Sequence, residues 1–108
     1  MIIDKLLEQR AQIKKIYPKT ILLFRIGDFY EAYAEDAEAM SEICYTVLTS
    51  RPTSNGRVWM TGVPHHAIDS YRKVLTEAGR YIGLVDQNIA DQQFQPMFDA
   101  IEKKKNDR

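Results

Sequence analysis

Cysteine, net charge and long apolar runs are all scarce in this chain of 108 residues. The single cysteine, Cys44, has no partner in the chain for a disulfide, so the sequence predicts a core-stabilised fold in a reducing compartment. No apolar stretch approaches the roughly 20 residues that span a bilayer. Charges of both signs are spread through residues 1–19, which does not fit a secretory signal. We therefore expect a cytoplasmic protein with no membrane partner.

Motifs of catalysis are missing as well. The chain has no GxxxxGK[ST] phosphate-binding loop, and no serine or cysteine lies in a nucleophile context. His65 and Asp69 are spaced for one helix face, but His66 points elsewhere and no third metal ligand is evident. Asp28 and Glu31 lack a following lysine at a suitable strand position, which argues against a nuclease pair. The sequence thus predicts a protein that is not an enzyme, with no catalytic residue, metal or cofactor.

The charges balance overall but are unevenly placed. Fifteen basic residues are matched by fifteen acidic ones. Residues 1–20 carry +3, residues 21–46 carry −5 and residues 47–80 carry +3. A nucleic acid would have to follow the two basic blocks and avoid the acidic one, which predicts weak and salt-sensitive binding.

Hydrophobic periodicity and turn residues predict a mixture of helices and strands. Helices are expected over residues 2–16, 35–44 and 65–78. Strands are expected over residues 20–24, 29–34, 45–49, 57–61 and 81–85. Asn55-Gly56 predicts a hairpin loop at residues 51–56, and Gly62-Val63-Pro64 is expected to break the strand before it. This order predicts an α+β domain, with a mixed sheet of about five strands packed with three to four helices.

The last part of the chain is expected to be separate from this domain, which we place at residues 1–90. Residues 91–108 are predicted to form an amphipathic tail helix. Its apolar residues recur at i, i+3, i+4 and i+7, at Phe94, Met97, Phe98 and Ile101. Three lysines at residues 103–105 are expected to end the tail in solvent.

The turn and strand at residues 24–34 hold the candidate site. If residues 29–34 form a strand, Phe29 and Glu31 project from one face because side chains alternate. An exposed ring at a turn-to-strand corner can enter a base step and unstack it, which costs least where a base is mispaired. The carboxylate two residues on can bond a donor on the displaced base. The alternative is that Phe29 is a core aromatic and Glu31 a solvated strand residue, and spacing alone favours this alternative.

A family resemblance favours the interpretation of Phe29 as an exposed ring that contacts DNA. Residues 22–31, LLFRIGDFYE, resemble the signature of the MutS N-terminal domain, in which a Phe-x-Glu pair follows Gly-Asp. The similarity continues in order through residues 36–37, 48–51, 60–67 and 85–87, and covers roughly residues 9–88. In that family the Phe stacks on the mispaired base and the Glu hydrogen-bonds it, so the resemblance implies these roles for Phe29 and Glu31. It implies further contacts near the DNA backbone or groove, at Arg25, Arg51, Asn55, Arg57 and Met60.

The resemblance implies a fold like MutS domain I and a part in DNA mismatch repair, as a module that binds double-stranded DNA with a mismatch or small loop. Other domains or subunits would supply the clamp and the ATPase. The sequence departs from the family pattern at Ile26, where Met is usual, and after Gln87, where the acidic-proline link is missing. The alternative is a protein-interaction or regulatory domain that keeps the fold without useful DNA affinity, which the zero net charge favours.

Overall fold

Helices and strands are interspersed along residues 2–86 and 97–98, the part of the chain that the computed structural model describes. The three α-helices are α1 (Ile2–Ile16), α2 (Glu35–Cys44) and α3 (Ile68–Glu77), the last preceded by a 3-10 turn at His65–Ala67. The strands are β1 (Thr20–Ile26), β2 (Phe29–Tyr33), β3 (Thr49–Thr53), β4 (Gly56–Pro64), β5 (Tyr81–Asp86) and β6 (Met97–Phe98). This is the predicted α+β class.

The strands form one mixed sheet in the order β3-β4-β2-β1-β5-β6. Strand β1 pairs parallel with β5 and antiparallel with β2, and the remaining neighbours are antiparallel. The apolar run at residues 21–24 predicts a central strand that is covered on both faces, and all four of these side chains are fully buried. The predicted mixed sheet is confirmed, with a sixth strand of two residues at one edge.

Helices cover both faces of the sheet. On one face α1 packs against a core built on β1, β2 and β5, which includes Leu6, Ile13, Phe24, Tyr33 and Val85. On the other face α2 and α3 pack against a second core, which includes Leu23, Tyr30, Met40, Val63 and Leu75. Successive residues of β2 enter different cores because strand side chains alternate, as the sequence predicts.

A buried ion cluster joins α1 to the start of α2. The Asp36 side chain accepts hydrogen bonds from Lys14 Nζ at 2.9 Å and from Arg10 Nη2 at 3.2 Å. The backbone N–H of Leu22, on β1, also donates to Asp36 at 3.3 Å. Arg10 Nη2 lies 3.0 Å from the carboxylate of Glu35 as well. The cluster thus connects three elements through one carboxylate that is 1% exposed.

The predicted strand at residues 45–49 is wrong, because this segment is a loop up to β3. Tyr45 ends α2 in a left-handed backbone conformation with φ 60°, and its N–H donates to the Ser41 carbonyl at 2.9 Å. Thr61 Oγ1 on β4 lies 2.7 Å from both Thr46 Oγ1 and the Val47 carbonyl oxygen. The loop is therefore held by the Thr46 hydroxyl and the Val47 carbonyl, while the Tyr45 and Val47 side chains are 90% and 80% exposed.

The predicted hairpin loop at residues 51–56 is wrong in its extent. Strand β3 continues to Thr53, and Ser54 and Asn55 alone form the turn before Gly56 opens β4. Pro52 lies within β3, which is tolerated because β3 is an edge strand and needs no outer hydrogen bonds. The Asn55-Gly56 turn signal is confirmed, whereas the strand before it lies later in the chain than the sequence predicts.

The expected break at residues 62–64 is absent as well. Strand β4 runs on to Pro64, because β2 continues beside it and pairs Phe29 with Pro64. The helix predicted from residue 65 begins as the 3-10 turn, and Gly79 follows α3 with φ 83°, as expected for a C-cap glycine.

The predicted tail helix falls largely outside the described residues. Met97 and Phe98 are described, and they form β6, paired with Gly83 and Leu84 of β5, where a helix was expected. Residues 87–96 and 99–108 lie outside the described part. Of the helices in the described part, none has the length and apolarity needed to cross a membrane.

Candidate nucleic-acid interface

The turn between β1 and β2 places Phe29 at an open corner of the sheet. Gly27 occupies the turn with φ 58°, a conformation that glycine adopts without strain. The backbone N–H of His65 donates to the Asp28 carbonyl at 2.7 Å, which ties the turn to the end of β4. The Phe29 side chain remains 47% exposed. The ring therefore lies at the surface of a well-anchored turn.

Helix α1 leaves this corner uncovered because it is held at the other end of the sheet face. Asp4 accepts hydrogen bonds from Ser54 N at 3.0 Å and Ser54 Oγ at 2.5 Å, in the β3–β4 turn. Strand β4 has nine residues between that turn and Pro64, a distance of roughly 25 Å in extended chain. Phe29 pairs with Pro64 and so lies far from the anchored start of α1.

Glu31 lies two residues beyond Phe29 on the same face, but it is buried, with 8% exposure. Its Oε1 accepts a hydrogen bond from the Tyr33 hydroxyl at 2.6 Å and another from Arg51 Nη1 at 3.2 Å. Burial, together with the bond to Glu31, raises the pKa of Tyr33 far above its ordinary value, so the hydroxyl remains a proton donor. The carboxylate is expected from the sequence to emerge freely beside the ring, whereas the structure encloses it and pairs it with a cation.

Glu31 uses one of its two carboxylate oxygens in this network. No described residue donates a hydrogen bond to Oε2. The Glu31 side chain as a whole retains 11% exposure. One oxygen of the carboxylate is thus available to accept a hydrogen bond from an incoming group.

Gly62 keeps the surface beside these residues clear. It pairs directly with Glu31 across β2 and β4. A Cβ at this position would lie 3.4 Å from Glu31 Cγ and 3.9 Å from Phe29 Cδ2. The absence of a side chain at residue 62 therefore leaves space next to both the ring and the carboxylate.

Sequence reasoning missed Tyr33 and Gly62 as parts of this site. The i, i+2 spacing of Glu31 and Tyr33 in a strand was a usable signal for their contact, because both project from one face. Gly62 had no such signal, since its importance depends on the register that sets it opposite Glu31. The sequence indicates Gly62 as a strand breaker and as part of the similarity over residues 60–67, and not as a neighbour of Glu31.

Two of the predicted arginines lie near the corner in different ways. Arg51, on β3, reaches Glu31 and has a side chain that is partly exposed. Arg25 Nε donates to the Gly27 carbonyl at 2.6 Å, and its guanidinium carbon lies 5.8 Å from the ring centroid of Tyr30. Because Tyr30 projects into the second core, Arg25 lies on the opposite sheet face from Phe29.

The other predicted contact residues are not brought to Phe29. Met60 is partly buried against the core under α1. Asn55 lies in the β3–β4 turn, where its N–H donates to Thr53 Oγ1 at 3.1 Å. Arg57, beside that turn, donates through Nε to Ser50 Oγ at 2.8 Å. Asn55 and Arg57 therefore lie at the far end of β4 from the open corner.

The weaker candidates from the sequence do not assemble into a site. The rings of His65 and His66 are 6.1 Å apart and nearly perpendicular, while Asp69 is paired with Arg72 at 3.0 Å. Within residues 2–86 and 97–98, no group of three or more histidine, cysteine or acidic side chains is placed to hold a metal ion. Trp59, with 49% exposure, lies on β4 and pairs with Ser50 of β3.

The fold and the corner together define a class of protein, a small α+β domain that presents an aromatic ring and an oriented carboxylate at an uncovered end of its sheet. Comparison with known families matches residues 4–106 to MutS domain I. The chain belongs to the MutS domain I family.

Individual relatives agree with this assignment and confirm the resemblance seen in the sequence. The DNA mismatch repair protein MutS of Parabacteroides distasonis is 48% identical over 83 residues, which cover 76% of this chain. Those of Thermotoga petrophila and Acaryochloris marina are 46% and 42% identical over 87 residues, covering 81% and 79% of the chain. In all three the match makes up 10% of the relative, so the chain corresponds to about a tenth of those proteins.

Proposed function

We propose that this chain is a DNA-contact module that recognises mispaired or extrahelical bases in double-stranded DNA. Phe29 enters the weakened base stack, and Glu31 accepts a hydrogen bond from the displaced base. The observation that carries the proposal is the half-exposed ring at the uncovered end of the sheet, with a carboxylate on the same face whose Oε2 has no hydrogen-bond donor among the described residues. Membership of the MutS domain I family supports it.

The discrimination follows from the cost of deforming the duplex. Inserting an apolar ring between base pairs unstacks them, at a cost of a few kcal/mol per step. A mispaired base has already lost part of its pairing energy, so the same insertion costs less there. A rigid ring on an anchored turn thus converts a difference in duplex stability into a difference in affinity.

The charge distribution supports weak binding by the isolated chain. The net charge is zero, and few phosphate contacts are therefore expected. Arg51 compensates the charge of Glu31, which reduces repulsion between that carboxylate and nearby phosphates. We place the chain in a larger cytoplasmic assembly for mismatch repair, in which other domains or subunits supply the clamp and the ATPase.

Fluorescence anisotropy at low salt tests the proposal. The wild-type chain and the Phe29→Ala variant are titrated against a duplex with a G·T mispair or one extra base, and against the matched duplex. We expect the wild type to prefer the defective duplex and the variant to lose that preference. Trp59→Ala is the matched control, because Trp59 has a similar exposure but projects from the other sheet face, and it should keep the preference.

Two results would contradict the proposal. Equal affinity for the two duplexes with a steep salt dependence would indicate contact with phosphates alone. Binding of neither duplex at high protein concentration would favour the second candidate function, a protein-interaction domain. The specific observation behind that candidate is the apolar loop before β3, in which Tyr45 and Val47 are almost fully exposed.

A further inference from the structure

We infer that Tyr33 and Arg51 act as positioning residues for Glu31 and present its Oε2 alone to a displaced base. We call these two residues the Glu31 brace. The inference rests on the proposed function and adds to it a device that orients the carboxylate before DNA binds. It also defines the kind of hydrogen-bond donor that Glu31 Oε2 can bind.

Both members of the brace bind the same oxygen. The Tyr33 hydroxyl lies 2.6 Å from Glu31 Oε1, a short distance typical of a hydrogen bond to a carboxylate. Arg51 Nη1 lies 3.2 Å from that oxygen and approaches from β3, two strands away in the sheet. Two donors from different strands restrict rotation of the carboxyl group, and they leave Oε2 without a donor among the described residues.

The Tyr33 side chain is itself rigid. It is fully buried in the core under α1, and its ring centroid lies 5.9 Å from that of Phe24. A group held by packing and hydrogen bonds before its ligand arrives loses little conformational freedom on binding. The brace therefore fixes the orientation of the Glu31 carboxylate before DNA binds. Tyr33 acts from inside the core and cannot itself reach a base.

The brace also selects the kind of group that can bind. Oε2 is a hydrogen-bond acceptor, so the complementary group on the DNA is an imino or amino N–H of a base that has left its pair. A matched base pair uses its imino N–H internally but leaves one N–H of each amino group at a groove edge. The imino N–H is therefore the donor that a mispaired or extrahelical base newly offers. Gly62 places no side chain against Glu31 or Phe29, where even a Cβ would lie 3.4 Å from Glu31 Cγ and 3.9 Å from Phe29 Cδ2.

The test compares mismatch discrimination, defined as the dissociation constant for the matched duplex divided by that for the defective duplex. Tyr33→Phe removes the hydroxyl and keeps the ring, and we expect it to lower discrimination roughly threefold to tenfold. Tyr30→Phe is the matched control, since it makes the same change on another tyrosine of β2, whose side chain faces the second core. Arg51→Ala should also lower discrimination, whereas Arg72→Ala, on α3, should not.

A double variant shows whether Tyr33 acts through Glu31. If it does, Tyr33→Phe causes no further loss of discrimination in a Glu31→Ala background. A role in stability alone would weaken binding of both duplexes equally and leave the ratio unchanged. Thermal unfolding of each variant confirms that the compared proteins are folded.

The outcomes separate failure of the brace from failure of the proposed function. If Tyr33→Phe discriminates like the wild type while Phe29→Ala does not discriminate, the brace is overturned and the proposed function stands. Further loss from Tyr33→Phe in the Glu31→Ala background also overturns the brace. If the wild type shows no preference between the duplexes, the proposed function fails, and the brace fails with it.

Discussion

Replacing Asp36 with alanine should destabilise the fold more than any surface change. The carboxylate is 1% exposed and accepts hydrogen bonds from Lys14, Arg10 and the backbone N–H of Leu22. The Lys14 and Arg10 side chains are themselves only 12% and 11% exposed. Asp36→Ala therefore removes the acceptor that two largely buried cations and one backbone donor share. Lys14 Nζ keeps only its 2.6 Å hydrogen bond to the Thr20 carbonyl.

The magnitude follows from the cost of uncompensated buried charge. Removing one partner of a buried ion pair costs about 3–5 kcal/mol. Arg10 keeps its contact with Glu35 at 3.0 Å, which offsets part of the loss, so we expect about 3 kcal/mol. A domain of this size has an unfolding free energy of about 5–15 kcal/mol, so the change removes a large fraction of it.

Urea denaturation followed by the fluorescence of the single tryptophan, Trp59, measures this loss. The midpoint should fall with an unchanged slope, which indicates a change in stability rather than in the surface exposed on unfolding. Glu42→Ala is the control, because it removes an exposed carboxylate from the same helix, and it should change stability by less than about 0.5 kcal/mol. A loss below about 1 kcal/mol for Asp36→Ala would refute the assignment of a structural role to the ion cluster.

Three further expectations concern the corner, a turn and a helix end. Gly62→Val should reduce mismatch discrimination in the anisotropy assay, because its side chain occupies the space beside Glu31; an unchanged ratio would show that this space is not used. Hydrogen bonds from Ser54 lower the pKa of Asp4, so this contact stabilises the fold above the unfolded pKa and its contribution is lost as pH falls through the lower folded pKa. Between about pH 6 and about pH 3, the free energy of unfolding should therefore fall less for Ser54→Ala than for the wild type, as measured by urea denaturation. Gly79→Ala should lower the free energy of unfolding by about 1 kcal/mol in a thermal melt, because residue 79 has φ 83°; a neutral result would mean that the helix end rearranges.

Local signals accounted for much of the fold. Helix α1 ends before Pro18, and α2 covers the predicted residues 35–44, because these segments have helical periodicity and clear boundaries. The apolar run that became β1 and the alternation along β2 were sufficient to assign Tyr30 and Tyr33 to opposite faces. Each of these features depends on neighbours within a few residues.

The errors fall where distant contacts decide the conformation. Residues 45–49 have strand composition, but Thr61 holds Thr46 and Val47 in a loop, and β3 begins only at Thr49. Pro64 suggested the end of a strand, yet pairing with Phe29 keeps it in β4. Nothing in the sequence near these residues reveals which strand lies beside them.

The candidate site shows the same division. Phe29 and Glu31 could be identified from the family resemblance, whereas their spacing alone favoured a core aromatic and a solvated strand residue. That the ring would be exposed and the carboxylate enclosed depends on where α1 is anchored and on how β3 lies across the sheet.

The sequence by itself determined the α+β class, most helix and strand positions and membership of the MutS domain I family, because these depend on local patterns and collinear motifs. Only the tertiary structure decided that Arg51 and Tyr33 share one oxygen of Glu31, with Gly62 opposite. Strand register sets Gly62 opposite Glu31, which lies 31 positions earlier in the chain. Pairing at that separation is set by packing of the whole sheet rather than by any local preference.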